Sequence, residues 1–307
     1  THTGLRWPMT IEEEKPQSEV PAVPGFPHIV GCPRSGTYLL AVHLEKTFDM
    51  AIPVEVQIVR GLARLARRKR QFTSLRERQA LLHSVQDFWR LLYGRGLKLE
   101  ERQRSVDASL LSIAQDIDMS EITTPAGLMT ALYDQFAAKH GVRWSGDKAA
   151  FYDPMDPDRY LFVLPQNARV IHMIRDPRDA CPSWHRQWFG PRTLTEAALL
   201  WRRHVRTNRQ WGSRHPDRYL EVRFEDFLTD PQGVLDQIGG FLGISRSTAR
   251  KGDGPASVSA QAIGGEPTHE KLLGEIDQEN TGKWRQQLGV GDRRLIECLA
   301  RREMQDL

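Results

Sequence analysis

Cysteine is scarce in this sequence, which contains only three among its 307 residues. Cys32, Cys181 and Cys298 form no metal-binding motif and cannot all pair, so a disulfide-stapled fold is not expected and a reducing, cytoplasmic compartment is predicted. Long apolar runs are also lacking, since none approaches the roughly 20 residues of a membrane-spanning helix. No signal-peptide pattern opens the sequence. These absences favour a globular protein with a buried core.

A lysine is missing from the most informative segment, Phe26-Pro-His-Ile-Val-Gly-Cys-Pro-Arg-Ser-Gly-Thr-Tyr-Leu-Leu40. A short apolar run enters a Gly/Pro turn, and a helix is predicted to open at about Ser35, where unpaired N–H groups favour an anion. The segment nearly matches the nucleotide loop G-x-x-x-x-G-K-[ST], but Thr37 and Tyr38 replace its last two residues. The cation is instead Arg34. We therefore predict a site for a phosphate-like group outside the usual magnesium-nucleotide pattern.

The charge balance is mildly basic, with a net charge of +4 and a pI near 9.0, which suits anionic small molecules as well as nucleic acid. Residues 1–25 are acidic and proline-punctuated, and we predict a flexible leader or inter-module linker there, followed by one domain over 26–307. Residues from about 56 to 140 are predicted to form a largely helical elaboration. A solvated helix face is the favoured interpretation of its basic run Arg64–Arg70, ahead of contact with nucleic acid or an acidic partner.

Short apolar runs bounded by Pro, Gly or charged residues predict strands with helices between them. The strand-like runs are His28–Val30, Met50–Pro53, Tyr160–Leu164, Arg169–Ile174 and Tyr219–Phe224. Two apolar stripes have helical spacing, one of Leu81, Leu82, Val85, Trp89 and Leu92 and one of Leu128, Leu132 and Phe136. This alternation predicts an α/β fold, a P-loop-like three-layer sandwich with a central parallel sheet and helices on both faces. Ligands of such folds bind beyond the carboxyl ends of the strands.

Two further helices carry terminal signals. Thr193 with Glu196 resembles a capping box. Asp230 followed by Pro231 is a typical helix start, and Gly243 stands where the C-cap of that helix is expected.

A second anion site is predicted in the segment Arg169-Val-Ile-His-Met-Ile-Arg-Asp-Pro-Arg-Asp-Ala-Cys-Pro-Ser183. A strand ends in Arg175, a proline turn follows, and Ser183 is predicted to lie near the start of the next helix. The arginine fork matches phosphate oxygens, and the serine hydroxyl adds a further donor. Two strand-end anion sites in one α/β domain are a much stronger signal than either alone.

The two segments together resemble the sulfotransferases that use 3′-phosphoadenosine 5′-phosphosulfate (PAPS). Pro33-Arg-Ser-Gly-Thr-x-Leu-Leu40 resembles the 5′-phosphosulfate loop of that family, and Arg175-Asp-Pro-Arg-Asp-x-x-x-Ser183 resembles its 3′-phosphate site. Weaker resemblances are Gly146-Asp-Lys148, Val222-Arg-Phe-Glu-Asp-Phe-Leu228 and Asn280-Thr-Gly-Lys-Trp-Arg285. The resemblance covers Phe26 to about Leu288, and its order and spacing follow the bacterial and carbohydrate-type branches.

The resemblance implies three groups of residues that bind PAPS or its desulfated product PAP. They are Pro33, Arg34, Ser35, Gly36, Thr37 and Tyr38 at the sulfate end, Arg175 and Ser183 at the 3′-phosphate, and Gly282, Lys283 and Trp284 in a late loop that closes over the nucleotide. Two positions depart from the family pattern. Tyr38 replaces a common threonine and Phe224 a common tyrosine, so the hydroxyl contact at the second position is lost.

The resemblance also implies in-line, metal-independent transfer to an acceptor hydroxyl, and no cluster of metal ligands is found in the sequence. Arg34 would neutralise charge on the leaving group, and Lys148 would contact the sulfuryl oxygens unless it is a helix-end surface lysine. Glu55, after the second strand, is the first candidate for the general base. His185 and Asp153 are the alternatives, and helix capping or core packing is favoured for His185.

Two rival functions remain open. A P-loop kinase would need a lysine after Gly36 and a magnesium-binding acidic strand end, and the sequence offers neither convincingly. A non-catalytic nucleotide-binding scaffold would keep the fold without turnover. The acceptor itself is not specified by the sequence: a steroid, sugar, peptide, lipid or carrier-protein-tethered hydroxyl all fit, and the proline-rich leader favours the last.

Overall fold

The computed structural model describes residues 24–53, 58–67, 71–72, 74–77, 79–80, 83, 110, 113, 117–149, 156–247, 258, 280–305 and 307. The strands found there are β1 (Phe26–Gly31), β2 (Met50–Ala51), β3 (Trp144–Ser145), β4 (Asp147–Ala149), β5 (Ala168–Ile174) and β6 (Tyr219–Arg223). The helices found there are α1 (Thr37–Thr47), α2 (Ile58–Ala66), α3 (Pro125–Lys139), α4 (Pro177–His185), α5 (Leu194–Arg214), α6 (Phe224–Thr229), α7 (Pro231–Leu242), α8 (Trp284–Gln287) and α9 (Val290–Ala300).

A four-stranded parallel sheet in the order β4-β1-β5-β6 lies at the centre of the fold. His28 on β1 pairs with Asp147 on β4, and Val170 on β5 pairs with Tyr219 on β6. Every residue of β1 is buried, as expected for a central parallel strand covered on both faces. Strands β2 and β3 form a separate two-stranded parallel sheet. The predicted α/β fold with a central parallel sheet is confirmed.

Helices pack on both faces of this sheet because successive strand side chains point to opposite sides. Ile29 and Ile171 lie in one apolar cluster, with Leu40 and Leu44 of α1 and Leu235 and Ile238 of α7. Val30 and Val170 lie in another, with Leu128, Leu132 and Phe136 of α3. The apolar stripe predicted on α3 is therefore confirmed, and the one at 81–92 lies outside the described residues. Among the described helices, none combines the length and apolar character that a membrane crossing requires.

A buried polar cluster fixes the short edge strand β4 to its neighbours. Asp147 lies 2.7 Å from His28 Nδ1 and accepts a 2.7 Å hydrogen bond from the Tyr133 hydroxyl. Burial raises the pKa of Tyr133 well above its ordinary value, and the Asp147 carboxylate raises it further, so the hydroxyl remains a donor. These bonds join β1, β4 and α3, and they hold in place the strand that carries Lys148.

The predicted helix ends are confirmed. Thr193 Oγ accepts from the Glu196 N–H at 3.1 Å, and Asp230 accepts from the Gly233 N–H at 2.9 Å. Gly243 ends α7 with φ 71°, a left-handed conformation that glycine adopts without steric cost.

The strand predicted at Tyr160–Leu164 is wrong, because a 3₁₀ helix occupies Leu161–Val163. Tyr160 N–H bonds to Pro157 O at 3.0 Å, and Leu164 N–H bonds to Leu161 O at 3.1 Å. Short apolar runs do not by periodicity distinguish a strand from a buried helical turn, and here a turn buries the side chains. Two boundaries also differ slightly: Phe224 begins α6 rather than ending β6, and the first helix begins at Thr37.

Candidate active site

The loop between β1 and α1 turns sharply at the carboxyl end of the central strand. Arg34 has φ 70° and Gly36, the N-cap of α1, has φ 91°. A non-glycine residue in the left-handed region is uncommon and costs about 1 kcal/mol or more. The surrounding structure therefore holds Arg34 in a conformation that its own backbone disfavours, as is common at functional sites.

Two glycines of this loop allow close approach of other elements. A Cβ at Gly31 would lie 2.6 Å from the Met173 carbonyl oxygen, and one at Gly36 would lie 2.3 Å from the Phe224 ring. Phe224 is the residue that replaces the family's tyrosine, and its ring lies directly against the loop. A side chain at Gly31 would displace the backbone of β5, and one at Gly36 would displace the Phe224 ring.

The loop also presents unused donors to a ligand. Ser35 is fully buried, and within the described part of the chain its hydroxyl has no hydrogen-bond partner. Thr37, in the first turn of α1, is 4 % exposed. An orphaned buried hydroxyl at the start of a helix, where the first N–H groups have no partner within the helix, suits a bound anion, because buried polar groups are otherwise paired. These residues fit the sulfate end of PAPS.

The second predicted site lies against the first. Arg175, which follows β5, donates from Nη1 to the Arg34 carbonyl at 3.3 Å, and its guanidinium lies 4.5 Å from the Phe224 ring centroid. Arg34 Nε donates to Ser183 Oγ at 3.2 Å. The structure thus brings together the two segments that the sequence predicted separately, with Arg34 in contact with both members of the second.

Burial shapes the electrostatics of Arg175. It lowers the pKa of the guanidinium from its ordinary value, while the carboxylates of Asp179 and Glu225 oppose that shift. Its Nε is buried without a hydrogen-bond partner among the described residues, and its carbonyl accepts from Trp201 Nε1 at 3.0 Å. A fixed cation with an unused donor at a strand end suits a phosphate group.

Ser183 lies in the last turn of α4, and its predicted position near the start of that helix is wrong. The helix begins at Pro177, directly after the N-cap Asp176, whose side chain accepts from the Arg178 N–H at 2.8 Å. Proline has no N–H to lose at this first position, so the helix starts close behind β5. Two turns of helix then carry the hydroxyl to Arg34.

The late loop lies at the same end of the sheet. The Arg175 Nη2 donates to the Asn280 carbonyl, and Lys283 Nζ donates to Asn280 Oδ1 at 2.7 Å. Asp179 accepts from the backbone N–H groups of Gly282 at 2.7 Å and Trp284 at 2.8 Å. Gly282, Lys283 and Trp284 therefore lie beside Arg175, although about 100 residues separate them in the sequence.

Lys148 is buried, with 1 % exposure, and lies on β4, so the alternative of a helix-end surface lysine is wrong. Its Nζ is 3.3 Å from the centroid of the Tyr38 ring, in the first turn of α1. A cation over an aromatic face is stabilised by the ring quadrupole. Tyr38, which replaces the common threonine of the family, thus supports Lys148 at the edge of the loop.

Of the three candidates for the general base, the structure describes only His185. Glu55 and Asp153 lie outside the described residues. The ring nitrogen Nδ1 of His185 lies 2.8 Å from the Pro191 carbonyl, so this histidine ties the end of α4 to the following loop. Its catalytic role stays a prediction.

Sequence reasoning missed the role of Asp179, which anchors the late loop. The signal was present, because Asp179 is the second aspartate of the Arg175-Asp-Pro-Arg-Asp179 motif. Nothing in its neighbourhood along the chain indicated a partner near residue 282. At position 224 the sequence shows only the loss of the hydroxyl that the family's tyrosine carries. The structure shows that the Phe224 ring packs against Gly36 and Arg175.

Comparison with known proteins agrees with this geometry. Residues 28–248 match the model of a family described as the Sulfotransferase family. The sulfotransferase domain of the olefin synthase from Synechococcus PCC 7002 is 24% identical, with a TM-score of 0.55 over 92% of this chain and 98% of that one. That likeness supports the P-loop-like sulfotransferase fold.

Two other solved structures resemble the chain more distantly. The sulfotransferase domain from the curacin biosynthetic pathway is 18% identical, with a TM-score of 0.49 over 91% of this chain and 98% of that one. Mouse sulfotransferase SULT7A1, complexed with PAP, is 13% identical, with a TM-score of 0.47 over 92% of this chain and 84% of that one. No curated protein matches the chain.

Proposed function

The chain belongs to the sulfotransferase family, and from this premise we propose that PAPS is its donor and which residues carry the reaction. Arg34, Ser35 and Thr37 bind the sulfate end of the donor. Arg175 and Ser183 bind its 3′-phosphate. The single observation that supports this assignment most is the 3.2 Å bond from Arg34 Nε to Ser183 Oγ, which unites both predicted anion sites.

PAPS supplies the sulfuryl group when it is bound, and the chain supplies position and charge. Arg34 neutralises the negative charge that develops on the departing phosphate oxygen, since a fixed cation there stabilises the transition state more than the ground state. Lys148, held against Tyr38, contacts the sulfuryl oxygens during transfer. One sulfur–oxygen bond forms to the acceptor hydroxyl oxygen as the bond to the phosphate oxygen breaks, and the acceptor proton passes to a protein base.

Glu55 is our proposal for that base, and Glu55→Gln is expected to lower kcat by about two orders of magnitude. Glutamine has the same size but cannot take the acceptor proton, so the affinity for PAP should remain unchanged. Steady-state turnover and calorimetric titration with PAP measure the two quantities. Glu121→Gln, at an exposed glutamate, is the matched control. Unaltered turnover in Glu55→Gln would move the role to His185 or Asp153.

The finer placement within the family is also a proposal. The order and spacing of the motifs support the bacterial and carbohydrate-type branches. Residues from about 56 to 140 would shape the acceptor pocket as a helical elaboration of the domain at 26–307, with residues 1–25 as leader or linker. The proline-rich composition of that leader supports an acceptor hydroxyl tethered to a carrier protein.

A transfer assay tests the function directly. The protein, incubated with ³⁵S-labelled PAPS and pools of hydroxyl acceptors, is expected to move label to one acceptor class, which mass spectrometry would identify. EDTA should leave the rate unchanged if the transfer is metal-independent, because Arg34 and Lys148 supply the positive charge. Loss of activity with EDTA and transfer from ATP would favour the kinase alternative. Tight PAP binding without transfer to any acceptor would favour a scaffold.

A further inference from the structure

Asp179 makes two hydrogen bonds that neither anion site requires. It is the third residue of α4, 7 % exposed, and its two carboxylate oxygens are used separately. Oδ2 accepts from the Gly282 N–H at 2.7 Å and Oδ1 accepts from the Trp284 N–H at 2.8 Å. Bonds of this length to an ionised acceptor are among the stronger ones in proteins. One side chain therefore holds both ends of a three-residue turn.

The turn held in this way directs the Asn280 carbonyl at Arg175. Gly282 has φ 70°, and a Cβ there would lie close to the Arg285 guanidinium. Two residues before this left-handed glycine, the Asn280 carbonyl accepts from Arg175 Nη2. Asp179 and Arg175 are four residues apart, Arg175 just before the N-cap of α4 and Asp179 in its first turn. The late loop is therefore clamped at two points to the segment that carries the 3′-phosphate site.

Charged residues around Trp284 also hold the late loop in place. The Arg178 guanidinium lies 4.0 Å from the Trp284 ring centroid and bonds to Asp176 at 2.7 Å and Glu297 at 2.9 Å. Arg293 also lies over the indole, at 4.8 Å. Trp284 is only 7 % exposed, so its position is fixed by packing as well as by its N–H bond. The loop is thus attached to α4 and α9 together.

We propose that Asp179 is a positioning residue which holds the late loop beside the 3′-phosphate site, so that the affinity for nucleotides with a 3′-phosphate depends on it. This inference rests on the proposed function of Arg175. A 3′-phosphate bound by Arg175 would share the guanidinium with the Asn280 carbonyl. The bonds that Asp179 accepts from the Gly282 and Trp284 N–H groups fix the turn that follows this carbonyl, and so they help to set how the guanidinium meets the phosphate. A nucleotide without a 3′-phosphate has no group for Arg175 to bind, so its affinity should depend little on the two bonds that Asp179 makes.

The test compares PAP with adenosine 5′-phosphate, which lacks the 3′-phosphate, in wild type and Asp179→Asn. Asparagine keeps one acceptor but turns an NH₂ group toward the second N–H donor, so one bond is lost. We expect PAP to bind about ten- to a hundredfold more weakly and adenosine 5′-phosphate less than threefold more weakly. The KM for PAPS should rise in parallel, with kcat at saturation changed less than threefold. Calorimetry and initial rates measure these quantities.

The matched control is Asp230→Asn, because asparagine caps a helix as well as aspartate does and α7 lies outside the clamp. If wild type fails to bind PAP, the proposed function itself is wrong. If wild type binds PAP and Asp179→Asn binds both nucleotides as wild type does, or loses both equally, the coupling is wrong. Should Asp179→Asn not fold, Gly282→Ala strains the same turn from the other side, and equal losses for both nucleotides would overturn the proposal.

Discussion

Arg34→Ala is expected to lower kcat/KM for sulfuryl transfer by about a thousandfold or more, with the fold intact. Removal of a single group that stabilises a developing oxyanion typically costs two to three orders of magnitude, and loss of an arginine at a transferring phosphoryl group costs three to five. The substitution also removes the 3.2 Å bond from Arg34 to Ser183, so both ends of the proposed donor site are affected. Initial rates with labelled PAPS and a thermal unfolding curve measure the two effects.

Two further variants separate charge from backbone strain at this position. Arg34→Gly removes the cation but relieves the left-handed φ of 70°, so it should unfold at the same temperature as wild type or higher while remaining inactive. Arg34→Lys keeps a point charge without the planar fork and should recover only part of the activity. Arg203→Ala, at an exposed position of α5, is the control and should behave as wild type. Near-normal turnover of Arg34→Ala would contradict the assignment of the first loop.

Arg175→Ala is expected to weaken PAP binding by about a thousandfold, which corresponds to about 4 kcal/mol. A hydrogen bond to a charged group contributes about 1.5–3 kcal/mol, and Arg175 would provide more than one to the 3′-phosphate. Its removal also leaves the Arg34 and Asn280 carbonyls without the donor they share. Calorimetric titration with PAP measures the loss of affinity.

The control for this variant is Arg186→Ala, which removes an exposed arginine from the C-cap of α4. That variant should bind PAP within about twofold of wild type. Arg175→Lys should be intermediate, because a lysine cannot reach two carbonyls and a phosphate at once. A PAP affinity within threefold of wild type in Arg175→Ala would show that the 3′-phosphate binds elsewhere.

Features encoded by neighbouring residues could be predicted from the sequence. Strands β1 and β5, the capping box at Thr193 and the glycine that ends α7 all depend on interactions within a few positions. The two anion sites also belong to this class, since each is a strand end followed by a helix. Their convergence followed from the rule that parallel strands place their carboxyl ends at one edge of the sheet.

Features that depend on tertiary contacts could not be predicted in this way. The Tyr160–Leu164 run has the composition of a strand, and its burial as a 3₁₀ turn is decided by the surrounding helices. Lys148 could equally have been exposed, because its burial depends on Tyr38 from another element. The bonds from Asp179 to the late loop join residues about 100 positions apart. No local pattern encodes such a contact.

The conformation of Arg34 affects the spacing between the two groups of residues proposed to bind the donor nucleotide. Its carbonyl accepts from Arg175 and its side chain donates to Ser183, so the residue proposed for the sulfate end contacts both residues proposed for the 3′-phosphate. The separation between the two groups of donors therefore depends on one residue, through its backbone turn at φ 70° and through its side chain. A shift of the loop at Arg34 is therefore expected to displace the proposed donors at both ends of the site, so the spacing between the two anionic groups of a ligand should be closely restricted.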